Sequence, residues 1–247
     1  MTDVVFPGGT SVSRLRVYDD AVPAGFGVAP DGLPGGTPHL HTVSTEAYVV
    51  TAGSGSLQTL DRTGYREHDL APGATVWFAP GTIHRVVNGG GLEVVVIMSN
   101  RGLPEAGDAV MTFADEVLAD AERYGEAARL PDAAPDRSAA AEAARARRDA
   151  AVRGFVALRA AVQGGDLAPL ERFYERAAAL VAPRSAEWSR LRKDSVLADA
   201  RRGEQLLAEI ASGSAALLGA AEPRSSSGAE GERRFGMCGL LRTYDVD

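Results

Sequence analysis

The sequence contains 247 residues, of which 45% are hydrophobic and 24% charged, and its net charge at pH 7 is −7. These values are typical of a globular protein with one large or two small domains; the negative charge disfavours a nucleic-acid partner, and no stretch approaches the roughly 18 apolar residues of a membrane span. The sequence starts without a signal-peptide pattern, and its single cysteine, Cys238, fits a reducing compartment, so we expect a cytoplasmic protein.

Short β-strands are predicted over about the first 100 residues, and we place a β-domain at residues 1–112. Runs rich in Val, Leu, Thr and aromatic residues alternate there with glycine-bearing breaks, a pattern typical of an all-β sandwich or barrel. The segment LDRTGY predicts a tight hairpin, since Gly64 can adopt the positive φ of such turns. The predicted strands are SRLRVY, EAYVVT, SLQTL, YREHDL, ATVWFA, HRVVN and LEVVVIM.

Helices are predicted in the next part, residues 113–222. Good helix formers and apolar faces extend over residues 138–163 and 166–181, and a third run follows from about Ser185 to Ile210. We interpret these faces as the packing surfaces of a small antiparallel bundle. Alternatively, the helices cover the mouth of the barrel, in which case Trp188 or Tyr174 could contact a substrate. Arginine supplies every basic residue except one lysine, which indicates a GC-rich bacterial genome.

The end of the sequence is predicted to return to the β-domain. Residues 223–235 are polar and rich in Gly and Ser, which is typical of a flexible linker. The final stretch GLLRTYDVD is similar to SRLRVYDD near the start of the sequence. We therefore predict that residues 236–247 contain a strand of the same sheet; chance similarity over eight residues is the alternative.

Three of the four histidines lie in segments predicted to be strands of the barrel. His39 and His41 point to one face of a strand because side chains alternate with period two. Glu46 follows at the head of the next strand, and His84 begins a later one. Three imidazoles and a carboxylate that converge inside a barrel form a site suited to a divalent transition metal.

These residues and their spacing resemble the two sequence motifs of the cupin family. The positions that fill the motifs are His39, His41, Glu46, Gly53, Gly73, Pro80, Gly81, His84 and Asn88. Two turn positions depart from the family pattern: the proline lies one place later than in the commonest spacing, and Leu33 replaces a glycine before the first histidine. The resemblance covers roughly residues 10–105 and implies a double-stranded β-helix, or jelly-roll, barrel. The expected fold class is thus α+β, a cupin barrel followed by a small α-helical bundle.

The resemblance also implies a metal cofactor and a class of function. Fe, Mn, Ni, Co or Zn would bind to His39, His41, Glu46 and His84, and a small molecule would bind inside the barrel. Glu46 is the candidate catalytic residue because a carboxylate can shift its coordination and take a proton. We expect a metal-dependent enzyme, a dioxygenase or isomerase; the alternative is a non-catalytic ligand-binding or sensory cupin with a helical interaction domain. A homodimer is expected from the resemblance alone.

Strand parity adds three candidate substrate-binding residues. Tyr48 shares the parity of Glu46 and should point into the barrel. Gln58, on the next predicted strand, could offer an amide to a substrate, and Phe78 or Trp77 could form a wall of the cavity.

Four further residues receive structural interpretations. We expect Arg85 to lie outside the barrel because its parity is opposite to that of the preceding histidine. His68 should be at the surface, Asn88 should cap the turn before the glycine run, and Cys238 should be a buried thiol.

Overall fold

The computed structural model describes residues 6–21, 23, 25–131, 137–223, 225 and 233–244. The strands are β1 (Ser11–Val17), β2 (His39–His41), β3 (Glu46–Asp61), β4 (Gly64–Leu70), β5 (Thr75–Phe78), β6 (Ile83–Met98), β7 (Ala109–Met111), β8 (Arg234–Phe235) and β9 (Gly239–Thr243). The helices are α1 (Asp115–Leu118), α2 (Ala121–Ala128), α3 (Arg137–Gln163), α4 (Ala168–Val181), α5 (Ser185–Asp194) and α6 (Val196–Ala211). None of the helices within these residues has the length and hydropathy of a membrane span.

The strands form an antiparallel barrel with two halves, and the long strands β3 and β6 run through both. In the first half the neighbours follow the order β5-β3-β6-β1-β9-β8, and in the second half the order β4-β3-β6-β2-β7. Side chains from both halves, such as Val50 and Val94 from the first and Leu57 and Val86 from the second, meet in one apolar core. The predicted fold class, a cupin-type barrel with a helical part after it, is confirmed.

Two of the glycine-bearing breaks are bulges inside long strands, and the sequence-based interpretation that they separate strands was wrong. The pairing of β3 with β6 shifts register between Val50 and Gly55, opposite the glycine run 89–91 of β6. Gly53 has φ of 70°, and a Cβ atom there would lie 2.2 Å from the carbonyl oxygen of Gly91. Glycine thus allows both strands to bend without ending, and the bends create the two halves of the barrel.

Asn88 stabilises the bulge of β6, in agreement with its predicted capping role. Its Nδ2 donates to the carbonyl of Val17 at 2.9 Å, and its Oδ1 accepts from the backbone N–H groups of Gly90 and Leu92. The side chain is buried, and these bonds satisfy backbone groups that the bulge removes from the ladder. The motif asparagine is therefore a structural residue.

The last described strands extend the first half of the barrel. Strand β9 pairs with β1 in an antiparallel register that places Leu241 opposite Leu15, and β8 pairs with β9. Most of the predicted linker, residues 224 and 226–232, lies outside the described residues, as do residues 245–247. Strand β1 is consequently covered on both edges, by β6 and by β9.

The helices share a core with the outer face of the second half of the barrel. Leu40, Leu60 and Ile83 from the barrel pack in one cluster with Phe155 of α3 and Phe173 of α4. Burial of these apolar groups on a common interface stabilises barrel and helices together. The helices are therefore more than a bundle that packs on itself.

The third predicted helical run is two helices, and only its first part is buried. Ser195, with φ −115° and ψ −96°, separates α5 from α6. Trp188 of α5 is buried, whereas Leu207 and Ile210 of α6 are 62% and 56% exposed. The apolar face interpreted as a packing surface is thus exposed at these two positions.

Candidate metal centre

Four buried side chains converge at one end of the barrel interior. His39 and His41 project from the same face of β2, His84 lies directly across from His39 on β6, and Glu46 begins β3. A ligand atom from each residue lies within 4.8 Å of those of the other three, and each residue is at most 5% exposed. The geometry therefore brings together the four residues that the sequence singled out, in an arrangement that could hold a metal ion.

Backbone carbonyls fix the orientation of two of the imidazole rings. The Nδ1 of His39 lies 2.8 Å from the carbonyl oxygen of Thr37, and the Nδ1 of His84 lies 3.2 Å from that of Thr82. A carbonyl only accepts, so each Nδ1 carries the proton and donates. The Nε2 lone pairs of both rings are left available, as is usual for histidines that bind a metal through Nε2 and donate from Nδ1 to a carbonyl.

The ligand atoms approach one another without satisfying one another. Glu46 Oε2 lies 3.0 Å from His84 Nε2 and 3.2 Å from His41 Nε2. Nevertheless, neither Glu46 Oε2 nor His84 Nε2 has an aligned hydrogen-bond partner, although both atoms are buried. Buried polar atoms normally have hydrogen-bond partners. Two facing atoms without partners therefore fit a site for a cation, which would accept both lone pairs.

The electrostatics of the cluster keep one ring neutral and two groups charged when no metal is bound. Burial and the neighbouring His84 and His41 hold the pKa of His39 well below its usual range. Burial lowers the pKa of His41, but the Asp108 and Glu46 carboxylates outweigh this effect and raise the pKa to about 9. Burial raises the pKa of Glu46, but His41 and His84 outweigh this effect, so the pKa is well below the usual value. A bound cation would replace the proton of His41.

Asp108, just before β7, is a buried residue of the site that the sequence reasoning missed. Its carboxylate accepts hydrogen bonds from the backbone N–H groups of Thr42, Val43 and Ser44, and from the Thr42 hydroxyl. It therefore fixes the short loop that connects the two histidines of β2 to Glu46. Its Oδ2 also faces His41 Nδ1 at 3.7 Å. No sequence signal marks it, because its partners are mainly backbone groups more than 60 residues away.

The stabilisation by Asp108 should depend on pH. Burial alone would raise the pKa of Asp108, but His41, Ser44 and Thr42 lower it from 3.8 to about 2. Because the pKa is lower in the folded state, this stabilisation is present above 3.8 and is lost as the pH falls towards about 2. We expect the difference in unfolding free energy between wild type and Asp108→Asn to shrink over that window, as measured by urea denaturation. A difference that stays constant down to acid pH would contradict this.

Comparison with known proteins identifies the barrel. Residues 26–99 match the family model of the cupin domain. The chain contains a cupin domain. The predicted membership of the cupin superfamily is thus confirmed, and the four clustered residues all lie within the matched segment.

Solved structures similar to the chain include proteins from three named organisms or genera. WlaRB TDP-quinovose 3,4-ketoisomerase from Campylobacter jejuni is 14% identical, with 36% of this chain and 60% of that chain covered and a TM-score of 0.29. A Streptomyces PAC13 variant with uridine is 16% identical (36% and 58% covered, TM-score 0.26), and KdgF from Halomonas sp. is 22% identical (27% and 58% covered, TM-score 0.24). The chain thus spans 58% to 60% of the length of these structures. No curated protein matches the chain.

A cavity of about 430 Å³ leads from the surface of the cupin barrel to the cluster. His39, His41, Glu46 and Tyr48 line its inner end, whereas His84 is fully buried behind them. Arg101 and Glu105 line it as well. The size is within the range of small-molecule sites.

The three predicted substrate-binding residues have different positions. Tyr48 lines the cavity, as parity predicts. Phe78 is buried behind the cluster, its ring 4.2 Å from that of His84, and does not line the cavity. Gln58 pairs with Arg85 on the face of the second half that points away from the cavity, because the bulge in β3 inverts the parity after Gly55.

The other aromatic candidates also lie away from the cavity. Trp77 is 73% exposed on the outside of the barrel. Trp188 donates from Nε1 to the carbonyl of Ala106, and Tyr174 lies beside Arg62. None of the three lines the cavity. His68 is exposed, as expected.

Cys238 is a buried thiol, as predicted, and it lies at the cavity beside Tyr48. The Sγ is 3.9 Å from the Tyr48 hydroxyl. Burial and the nearby Glu46 carboxylate raise the pKa of Cys238 to about 12, and burial raises that of Tyr48 well above its usual value. Both groups are consequently protonated at neutral pH, and Tyr48 can donate a hydrogen bond into the cavity.

Proposed function

We propose that this protein is a metal-dependent enzyme of oxygenase or isomerase type that acts on a small molecule inside the cupin barrel. The observation that supports this proposal most strongly is a pair of buried, unpartnered atoms, Glu46 Oε2 at the inner end of the cavity and His84 Nε2 behind it. A purely structural cluster would be expected to satisfy these atoms internally.

Each residue of the cluster has a specific role in this proposal. His39, His41, Glu46 and His84 would hold one divalent Fe, Mn, Ni, Co or Zn ion. Such an ion supplies Lewis acidity towards an oxygen-bearing substrate and, if it is redox-active, electron-transfer capacity. Glu46, which is ionised in the folded protein, is the candidate to take a proton from a substrate hydroxyl or an adjacent C–H group.

Tyr48 complements the charge of Glu46. It lies two residues further along β3 on the same inner face, and its hydroxyl stays protonated because it is buried. A neutral phenol can donate a hydrogen bond to a substrate oxygen and orient it against the cluster. We therefore propose Tyr48 as a substrate-binding residue.

A non-catalytic sensory function is the second candidate, and the position of Leu40 favours it. Leu40 lies between the two histidines of β2, and its side chain packs in the core shared with α3 and α4. Ligand binding at the cluster could therefore alter the packing of the helices. In this case a ligand would raise the melting temperature but would not be converted.

Metal content is the experiment that tests the proposed function. We expect about one equivalent of a divalent transition metal per chain in protein purified without chelators or a histidine tag. His84→Ala should lose the metal, because it removes a ligand from the cluster. The matched control is His68→Ala, which removes an exposed histidine and should retain the metal.

Two outcomes would contradict the proposal. Wild-type protein that binds no metal even after reconstitution would exclude a metal-dependent enzyme. Equal metal content in the His84→Ala and His68→Ala variants would place the metal elsewhere. Incubation of the loaded protein with enediols, hydroxy-ketones and phenols then separates conversion from simple binding.

A further inference from the structure

One wall of the cavity is built by residues that lie far from the cupin motifs in the sequence. The hairpin formed by β8 and β9, residues 234–243, contributes Met237, Cys238, Leu241 and Thr243 to the lining. These residues follow the matched segment 26–99 by more than 130 positions. The cluster and this wall of the cavity thus come from different parts of the chain.

The hairpin is held in place by hydrogen bonds from three other elements. Tyr18 Oη and Arg147 Nη2 both donate to the carbonyl of Gly236, at 2.9 and 2.7 Å. The backbone N–H of Thr37 donates to the carbonyl of Met237 at 2.9 Å. Arg147 belongs to α3 and is buried, so the helical part of the chain helps to position this wall. A wall fixed in this way can discriminate between ligands.

The surface that the hairpin presents to the cavity is largely apolar. Leu241 lies opposite Leu15 across the β1–β9 pair, and Thr243 lies opposite Ser13 one step further along the same face. Val96 and Met98 of β6 continue the apolar lining beyond β1. Apart from the four-residue cluster, the only charged residues that line the cavity in the described part of the chain are Arg101 and Glu105.

We propose that the β8–β9 hairpin is the selectivity wall of the cavity and that it selects ligands with an apolar body. The ligand is an aromatic or branched-chain compound whose oxygen-bearing end reaches the cluster while its body packs on Met237 and Leu241. A polyhydroxylated ligand would lose hydrogen bonds to water against these side chains without replacement. The proposal rests on the proposed metal centre, which anchors the oxygen-bearing end.

Two probes with the same 2-oxo-carboxylate group test the proposal, namely pyruvate and phenylpyruvate. Their affinities for the zinc-loaded protein are measured by calorimetry. We expect phenylpyruvate to bind at least about tenfold more tightly, since burial of a phenyl ring contributes at least that factor. Leu241→Asn should reduce this preference to below about threefold.

Further variants control for folding and location. Met237→Gln replaces a second, partly buried residue of the wall with a polar side chain of similar length. It should also reduce the preference for phenylpyruvate. Leu207→Asn replaces an exposed leucine of α6 and should leave both affinities unchanged. Melting curves establish that each variant is folded.

The outcomes separate this inference from the proposed function. Equal affinities for the two probes in the wild-type protein would overturn the selectivity wall, even if both bind only to the metal-loaded form. A preference that survives in both Leu241→Asn and Met237→Gln would also overturn it. If metal-free His84→Ala still prefers phenylpyruvate, this would support selection by the hairpin. It would contradict the proposal that a bound metal anchors the oxygen-bearing end.

Discussion

Replacement of Asp108 by alanine is expected to lower the free energy of unfolding by about 2–4 kcal/mol and to weaken metal binding by about 10- to 100-fold. The carboxylate accepts hydrogen bonds from three consecutive backbone N–H groups in the loop between His41 and Glu46. Without it the N–H groups of Val43 and Ser44 lose this acceptor, and the spacing between His41 and Glu46 is no longer fixed. Urea denaturation and competition with a metal-binding dye measure the two effects.

A matched control distinguishes this role from a general loss of negative charge. Asp115→Ala removes an exposed carboxylate that pairs with Arg176, and it should cost at most about 1 kcal/mol. It should leave metal affinity unchanged. If Asp108→Ala lowers stability but leaves the affinity of the metal at the wild-type value, the loop does not position the ligands and Asp108 is only a structural residue.

The Arg85→Met substitution should destabilise the protein by about 3–5 kcal/mol. Arg85 lies on the outer face of β6, as its parity predicts, and it is fully buried there. Its guanidinium pairs with Asp31 and donates to the carbonyls of Leu33 and Gly36. Methionine fills similar volume but removes the donor to the Asp31 carboxylate and to the carbonyl of Gly36.

Chemical denaturation of three variants tests this explanation. Arg62→Met breaks an exposed ion pair with Glu171 and should cost no more than about 1 kcal/mol. The double substitution Arg85→Met with Asp31→Asn should recover part of the loss, because it removes the uncompensated charge. A loss for Arg85→Met as small as that for Arg62→Met would show that the buried pair contributes little.

The candidate metal ligands could be predicted from the sequence because their signal is local. Period-two alternation places His39 and His41 on one face, and motif spacing adds Glu46 and His84. Parity also predicted the position of Tyr48, which lies only two residues from Glu46. The same argument failed for Gln58, since the register shifts between Val50 and Gly55 invert the alternation of β3 beyond them.

The sequence by itself thus determined the barrel class, the cluster of four candidate ligands and the presence of helices after the barrel. The tertiary structure alone decided which residues surround that cluster. Asp108 and the hairpin with Leu241 reach the site by contacts over 60 or more residues, and a loop covers Arg85 on the outer face of its strand. Such contacts leave no periodic or spacing pattern in the sequence, because they depend on how separate segments pack after the chain has folded.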